Sequence, residues 1–392
     1  MHRKRFRKRL RETCYKTHSL VIIFLSIKFF DYCKHHSYLN HIIFLSLYYT
    51  FVYIIMRSNQ VTIKDIAREL GVSPSTVSRA LKDHPDISPE TKREVKDLAE
   101  KLNYQPNAIA LSLKHSRSFT LGVIIPETVH YFFSSVISGI EDVAYNAGFN
   151  MMICQSNELY DREKSNANML YSNRVDGLLV SISKETIDFN HLLFFQQNNI
   201  PVVFFDRTTD DFPCDQVIID DYTAAFNIVE YMIKRGHKNI IHLAAPQHLQ
   251  IGFKRRKGYQ DALLKHGLPF SEKNIVLADK FDMSTQAVEK IIQQENIPDG
   301  IFAVNDLTAL GAIKALKRNN IRIPDDVGVA GFGNGQNAIL TDPPLTTIDQ
   351  NGYKMGIKAA ELLLKRISSN VTEFAHEKHY IETELIVRES IR

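Results

Sequence analysis

With 392 residues the chain exceeds one ordinary domain and suits two or three, and its 44% hydrophobic content is that of a folded globular protein rather than a disordered one. Its four cysteines (Cys14, Cys33, Cys154 and Cys214) have no CxxC spacing and no clustered histidine partners, which argues against a disulfide framework or a zinc site and fits a reducing cytoplasm. The net charge of +4 divides unevenly, with +8 on residues 1–55, +3 on residues 56–118 and −7 on the remainder, so a basic head precedes an acidic body that phosphates would repel.

Residues 1–55 open with MHRKRFRKRLR and continue with apolar runs from Leu20 to Phe30 and from Ile42 to Ile55. A signal peptide or a membrane anchor is one reading. Each run is shorter than the roughly 20 apolar residues a bilayer needs, Lys28 interrupts the first, and no alanine precedes Ala67 to form an A-x-A cleavage site. The other reading is an upstream start. Residues 1–55 hold no Gly, Ala or Pro, as translated A/T-rich DNA would, and Met56 stands where ordinary composition begins. The expectation is therefore an extension outside the folded protein, with no membrane partner.

Residues 56–105 read as three short helices. Ile63, Ile66, Ala67 and Leu70 make one apolar face, Thr62 is placed to cap it, and Gly71 ends it. Ser73 or Ser75 caps a second helix through Leu81, with Pro74 at its tolerated first turn. Val77 and Leu81 point inward, leaving Ser75, Thr76, Ser78, Arg79 and Lys82 on the edge and outer face. Ser88 opens a third helix with Val95, Leu98, Ala99 and Leu102 inside. A helix, a short Gly-containing turn and a second helix that starts with hydroxyls and carries one long cation form the helix-turn-helix pattern, which inserts such a rod into the major groove. A small three-helix domain with a Ser- and Thr-rich surface has the same spacing.

VTIKDIARELGVSPSTVSRAL, as it stands at residues 61–81, resembles the signature of the lactose-repressor family, and the similarity continues through NYQPNAIALSLK and over nearly all of residues 61–392. The resemblance implies that Ser73, Pro74, Ser75, Thr76 and Arg79 belong to a recognition helix, with Pro74, Ser75 and Arg79 most concerned with base choice; Thr62, Ser78 and Lys82 are further candidates for DNA contact. It also implies a hinge at residues 106–118, where a helix of about two turns beginning near Asn107 is too short to be stable alone. Two such hinges would pair in the minor groove and insert Leu113 as a wedge, with Lys114 following. Leu111 departs from the family, which usually carries arginine there.

In residues 119–392 short apolar runs alternate with helical stretches. LGVIIP, NMMICQS, DGLLVSI, PVVFFDR, QVIID, NIIHLAAP, GIFAVND and VGVAGFG are candidate strands, with helices from Phe133 to Ala147 and starting near Thr223, Arg255, Thr285 and Leu307. That alternation implies an α/β fold of doubly wound parallel sheets, one or two in number. The resemblance implies two lobes like those of periplasmic sugar-binding proteins, joined by three crossovers, with a ligand between them at the carboxyl ends of strands. It places Phe132 and Phe133 of HYFF to stack on a sugar or purine, Asp206 of FFDR to accept from hydroxyls, and Arg255 of FKRRKGY and Asn305 of AVND in the same cleft. The bland alternatives are core phenylalanines, helix-capping carboxylates at Asp206 and Asp306, and a solvated helix start at Arg255. The family's effector-binding aspartate in a GYD motif is replaced by Gly333 of GFG, which turns attention toward a sugar acid, a phosphorylated sugar or a protein input.

No GxGxxG, P-loop, GxSxG or metal-spaced cluster supports an enzyme, and neither a cofactor nor a metal is expected. A secreted sugar receptor is the second rival, opposed by the helix-turn-helix head. The expectation is a cytoplasmic transcription repressor of carbohydrate-related genes. It would bind near-palindromic double-stranded operator DNA as a homodimer, with a tetramer left open, under control of a small sugar-like effector.

Overall fold

The computed structural model describes residues 61–104, 117–369 and 375–392, in two units that divide after Asn107. The extension 1–55 and the hinge positions Asn107, Leu113 and Lys114 lie outside the described residues.

In the first unit the caps expected from the sequence set the helix limits. Thr62 and Asp65 form a capping box at the start of α1 (Ile63–Leu70), and Gly71 closes it at φ 69°, a left-handed conformation that costs glycine nothing. Ser73, not Ser75, caps α2 (Pro74–Leu81), accepting from the Thr76 N–H at 3.0 Å. Ser88 does the same for α3 (Pro89–Lys101). Ile66, Ala67, Val77, Ala80, Val95 and Ala99 form the buried centre, with Leu81, Leu98 and Leu102 packed around it. Ala80 joins this core although its small side chain carries little sequence signal.

The second unit contains every strand expected from the sequence, divided between two sheets. In the first lobe β1 (Thr120–Ile125), β2 (Asn150–Gln155), β3 (Gly177–Val180), β4 (Val202–Phe205) and β5 (Asp215–Ile219) are parallel, with α4 (Tyr131–Asn146), α5 (Tyr160–Ser172) and α6 (Asn190–Gln197) between them. In the second lobe β6 (Ile240–Ala244), β7 (Ile275–Leu277), β8 (Gly300–Ala303) and β9 (Gly328–Ala330) form a parallel sheet in the order β7-β6-β8-β9. Its helices are α7 (Asp221–Lys234), α8 (Gln250–Lys265), α9 (Phe281–Gln293), α10 (Asp306–Arg318) and the short α11 (Gln336–Leu340). Near-continuous burial along β3, β4, β6 and β8 is what helices on both faces of a parallel sheet require.

The chain passes between lobes three times. It leaves the first lobe after β5, returns between β10 (Thr347–Asp349) and α12 (Gly352–Ser368), and leaves again between β11 (Lys378–Ile381) and β12 (Glu384–Ile386). β11 pairs with β5, giving the first sheet the order β11-β5-β4-β3-β1-β2, while β10 and β12 form an antiparallel ribbon. α12 lies against α4 so closely that a Cβ on Gly356 would strike the Val136 carbonyl and one on Gly139 the Tyr353 carbonyl.

Two expected helix starts move by four or five residues. α8 begins at Gln250 rather than near Arg255, and α9 at Phe281 rather than near Thr285; their leading residues, Leu249 and Lys280, make no side-chain cap, so no local signal marks them. α4 begins at Tyr131, two residues before the expected start. Among the described residues no helix is long and apolar enough to cross a membrane.

Candidate functional site

The head presents α2 as its polar face. Ser73, Pro74, Ser75, Arg79 and Lys82 are exposed, Thr76 and Ser78 half-buried, and Thr62 exposed at the start of α1. The Ser73 hydroxyl lies 2.7 Å from that of Ser75 and 2.8 Å from that of Thr76, so it is occupied in holding the first turn together. The Thr62 hydroxyl likewise donates to Asp65 at 2.6 Å. Both therefore fix the helix starts, whose positive dipole ends suit phosphate oxygens. Arg79 is exposed and held loosely, 3.9 Å from an exposed Asp86.

In the second unit a cavity of about 310 Å³ opens between the lobes at the carboxyl ends of the strands, and Phe132, Phe133, Asp206, Arg255 and Asn305 all line it. The two phenylalanines occupy the first turn of α4, edge to face at 5.3 Å, and are both core and cavity wall. Asp206 directly follows β4 at φ 59°. Its carboxyl is buried and, among the described residues, hydrogen-bonds only with the Ser181 hydroxyl, at 3.4 Å. Burial pushes its pKa up to about 6 despite the pull of Arg207 and Arg255.

Arg255 is not a solvated helix start. It is 3% exposed, donates from Nε to Asp221 at 2.8 Å and from Nη1 to the Val304 carbonyl at 2.6 Å, and lies 3.7 Å above the Phe332 ring. Its Nη2 reaches Gln350 at 3.5 Å. Asn305 caps α10, accepting from the Thr308 N–H at 2.9 Å, and donates to the Asp279 carbonyl at 3.2 Å. Asp306 is structural in its contacts: it accepts from the Thr347 hydroxyl at 2.6 Å and the Gly335 N–H at 2.8 Å.

The cleft has further polar walls that the sequence did not single out. Arg207, next to Asp206 in FFDR, is 9% exposed; its Nη1 donates to Glu158 at 2.6 Å, and its Nε is buried without a partner among the described residues. Lys184 meets Asp279 at 2.6 Å, and Gln350 lines the wall beside Arg255. Burial works against the Glu158 charge, but Arg207 and Lys184 outweigh it and hold the carboxyl below its usual range. Adjacency to Asp206 was the one available signal for Arg207. Lys184 and Gln350 sit in stretches with no motif.

Gly333 explains the missing aspartate in local terms. At φ 142° it occupies backbone space that other residues rarely adopt, and a Cβ there would lie 3.3 Å from the Asp306 carboxylate. A carboxylate side chain would begin beside one already present. Among the described residues no cluster suited to a metal ion occurs.

Residues 118–389 match the family profile of periplasmic binding proteins and the sugar binding domain of the LacI family, and residues 62–107 match that of bacterial regulatory proteins, lacI family. The HTH-type transcriptional repressor PurR of Vibrio atlanticus is 32% identical over 335 residues, spanning 84% of this chain and 98% of that protein. Catabolite control protein A of Priestia megaterium is 33% identical over 323 residues, spanning 81% and 97%. Among solved structures, the transcriptional regulator CelR–cellobiose complex aligns at a TM-score of 0.64 with 26% identity, over 84% of this chain and 99% of that one. The lac repressor dimer bound to operator and the anti-inducer ONPF has the same coverage at a TM-score of 0.75 and 24% identity, a likeness of fold.

Proposed function

This chain belongs to the lacI family of bacterial regulatory proteins, and we propose that it represses carbohydrate-related genes under control of an uncharged, polyhydroxylated effector bound between the sensor lobes. The observation that carries this reading is the state of Asp206. Among the described residues, Arg255 faces Asp221, Arg207 faces Glu158 and Lys184 faces Asp279, whereas Asp206 has only the long hydrogen bond to Ser181. At Asp206 the unmet demand is for donors. Hydroxyls of a neutral sugar supply them, and Phe132 and Phe133 offer an apolar wall for its ring. A sugar acid or phosphorylated sugar would bring negative charge to a cavity whose cations are already committed, so the replacement at Gly333 argues less for an anionic ligand than the sequence suggested. A cavity of about 310 Å³ suits one or two rings, at the small end of the roughly 300–1,000 Å³ of ligand pockets. The sugar in the CelR–cellobiose complex supports the same class.

A single α2 covers one half-site, so a near-palindromic operator requires two copies, as a homodimer or within a tetramer. Asn107, Leu113 and Lys114 belong to this reading as the hinge that couples effector to operator. The test pairs footprinting with titration calorimetry of neutral sugars, purine bases, sugar acids and sugar phosphates at pH 7. Inverted repeats and a neutral sugar as the tightest ligand are expected, and Arg79→Ala should cost about 1–3 kcal/mol of base discrimination. A single asymmetric half-site, or a sugar phosphate bound tenfold more tightly than its neutral parent, would overturn the reading.

A further inference from the structure

We infer that Lys184 is a built-in latch that holds the two sensor lobes together before any effector arrives. Lys184 follows β3 in the first lobe and Asp279 follows β7 in the second, yet Lys184 Nζ lies 2.6 Å from Asp279 Oδ2 with the side chains only 18% and 10% exposed. Asp279 Oδ2 accepts no aligned hydrogen bond, so the contact is one of charge. Partial burial shields that attraction from salt better than an exposed surface pair.

Position makes this pair a latch rather than one more interlobe contact. β7 is the edge strand of the second sheet, whereas β10, which carries a crossover, lies beside β9 at the other edge through the Ala330–Thr346 bridge. In the second lobe Asp279 thus stands at the sheet edge opposite the one that β10 and its crossover run beside. Two further bonds join the lobes: His248 Nε2 is 2.6 Å from the Lys184 carbonyl, and Gln250 Nε2 donates to Asp210 at 3.1 Å.

Both ends are wired to the cleft. The Lys184 N–H donates to Glu158 at 3.0 Å, and Glu158 holds Arg207; the Asp279 carbonyl accepts from Asn305. Two charges that meet only when the lobes are closed bias the equilibrium toward the closed state by their differential contact alone. Apparent effector affinity scales with the closed fraction, so the chain itself, and not only the ligand, sets how much effector is needed.

The experiment needs no ligand, so its failure would leave the effector reading intact. Nitroxides are placed on full-length protein at Ile187→Cys and Met283→Cys, positions 82% and 45% exposed, with Cys14 and Cys33 replaced by serine and the buried Cys154 and Cys214 left in place. With the labelled chain diluted into an excess of unlabelled protein, so that each dimer carries at most one labelled copy, double electron–electron resonance should then show one short interlobe distance. Lys184→Gln and Asp279→Asn should each add a longer distance, raising the open-to-closed ratio about tenfold, while Lys184→Arg should stay closed. Circular dichroism confirms that each variant is folded. If Lys184→Gln keeps the parent distribution, or the parent is already mostly open, Lys184 is not a latch.

Discussion

Asp206→Asn should make the sensor more stable at neutral pH while weakening effector binding. The folded-state pKa of Asp206 is about 6 against an ordinary 3.8, and at about 1.36 kcal/mol per pH unit this difference corresponds to about 3 kcal/mol spent on keeping the carboxylate ionised in a buried site. Side-chain and backbone relaxation reduce that sum, so a gain of about 1–3 kcal/mol is expected above pH 6.5. The sign follows from proton binding. Because the pKa is raised, the folded state holds the proton more tightly than the unfolded one between about pH 4 and 6, and the penalty disappears as pH falls through that window. The advantage of Asp206→Asn should shrink accordingly and vanish near pH 4. Asparagine adds no backbone strain at φ 59°, since it tolerates left-handed conformations better than most residues. Urea unfolding of both proteins at pH 4.5, 6 and 8, followed by circular dichroism, measures the gap. Equal midpoints at pH 8, or a gap that does not change with pH, would refute the account of Asp206 as an acceptor held ready at a cost in stability.

Arg255→Ala should destabilise the sensor by about 3–5 kcal/mol, because it strands the buried Asp221 charge; thermal unfolding monitored beside effector titration separates this loss from any direct loss of ligand contact. Gly333→Asp should not restore a family-like acceptor. The left-handed backbone and the neighbouring Asp306 carboxylate should cost about 1–3 kcal/mol of stability instead, which calorimetry would show as a lowered melting temperature with no gain in sugar affinity.

The head was legible almost residue by residue, since its caps and apolar faces are local: Thr62, Gly71, Ser73 and Ser88 act within three or four positions of themselves. Eight sheet strands of the sensor were legible for the same reason, as buried apolar runs, whereas β7, β10, β11 and β12, of only three or four residues each, were not among the expected strands. That the cleft lies at strand ends followed from the alternation of strands and helices together with the family resemblance. Only the tertiary structure decided what each polar residue does there. Arg255 has the sequence surroundings of a solvated lysine- and arginine-rich helix, and its burial comes from Asp221, Val304, Phe332 and Gln350, which reach it from other segments. Asp206 and Asp306 look alike as strand-end carboxylates, yet one is left short of donors and the other is satisfied by Thr347 and Gly335. Lys184 carries no motif at all and gains its meaning from Asp279 across the cleft. Helix caps and apolar periodicity are written in neighbouring residues, but the partner of a buried charge is chosen by how distant segments fold back on one another, and that partner determines whether the charge is structural, available to a ligand, or a tie between lobes.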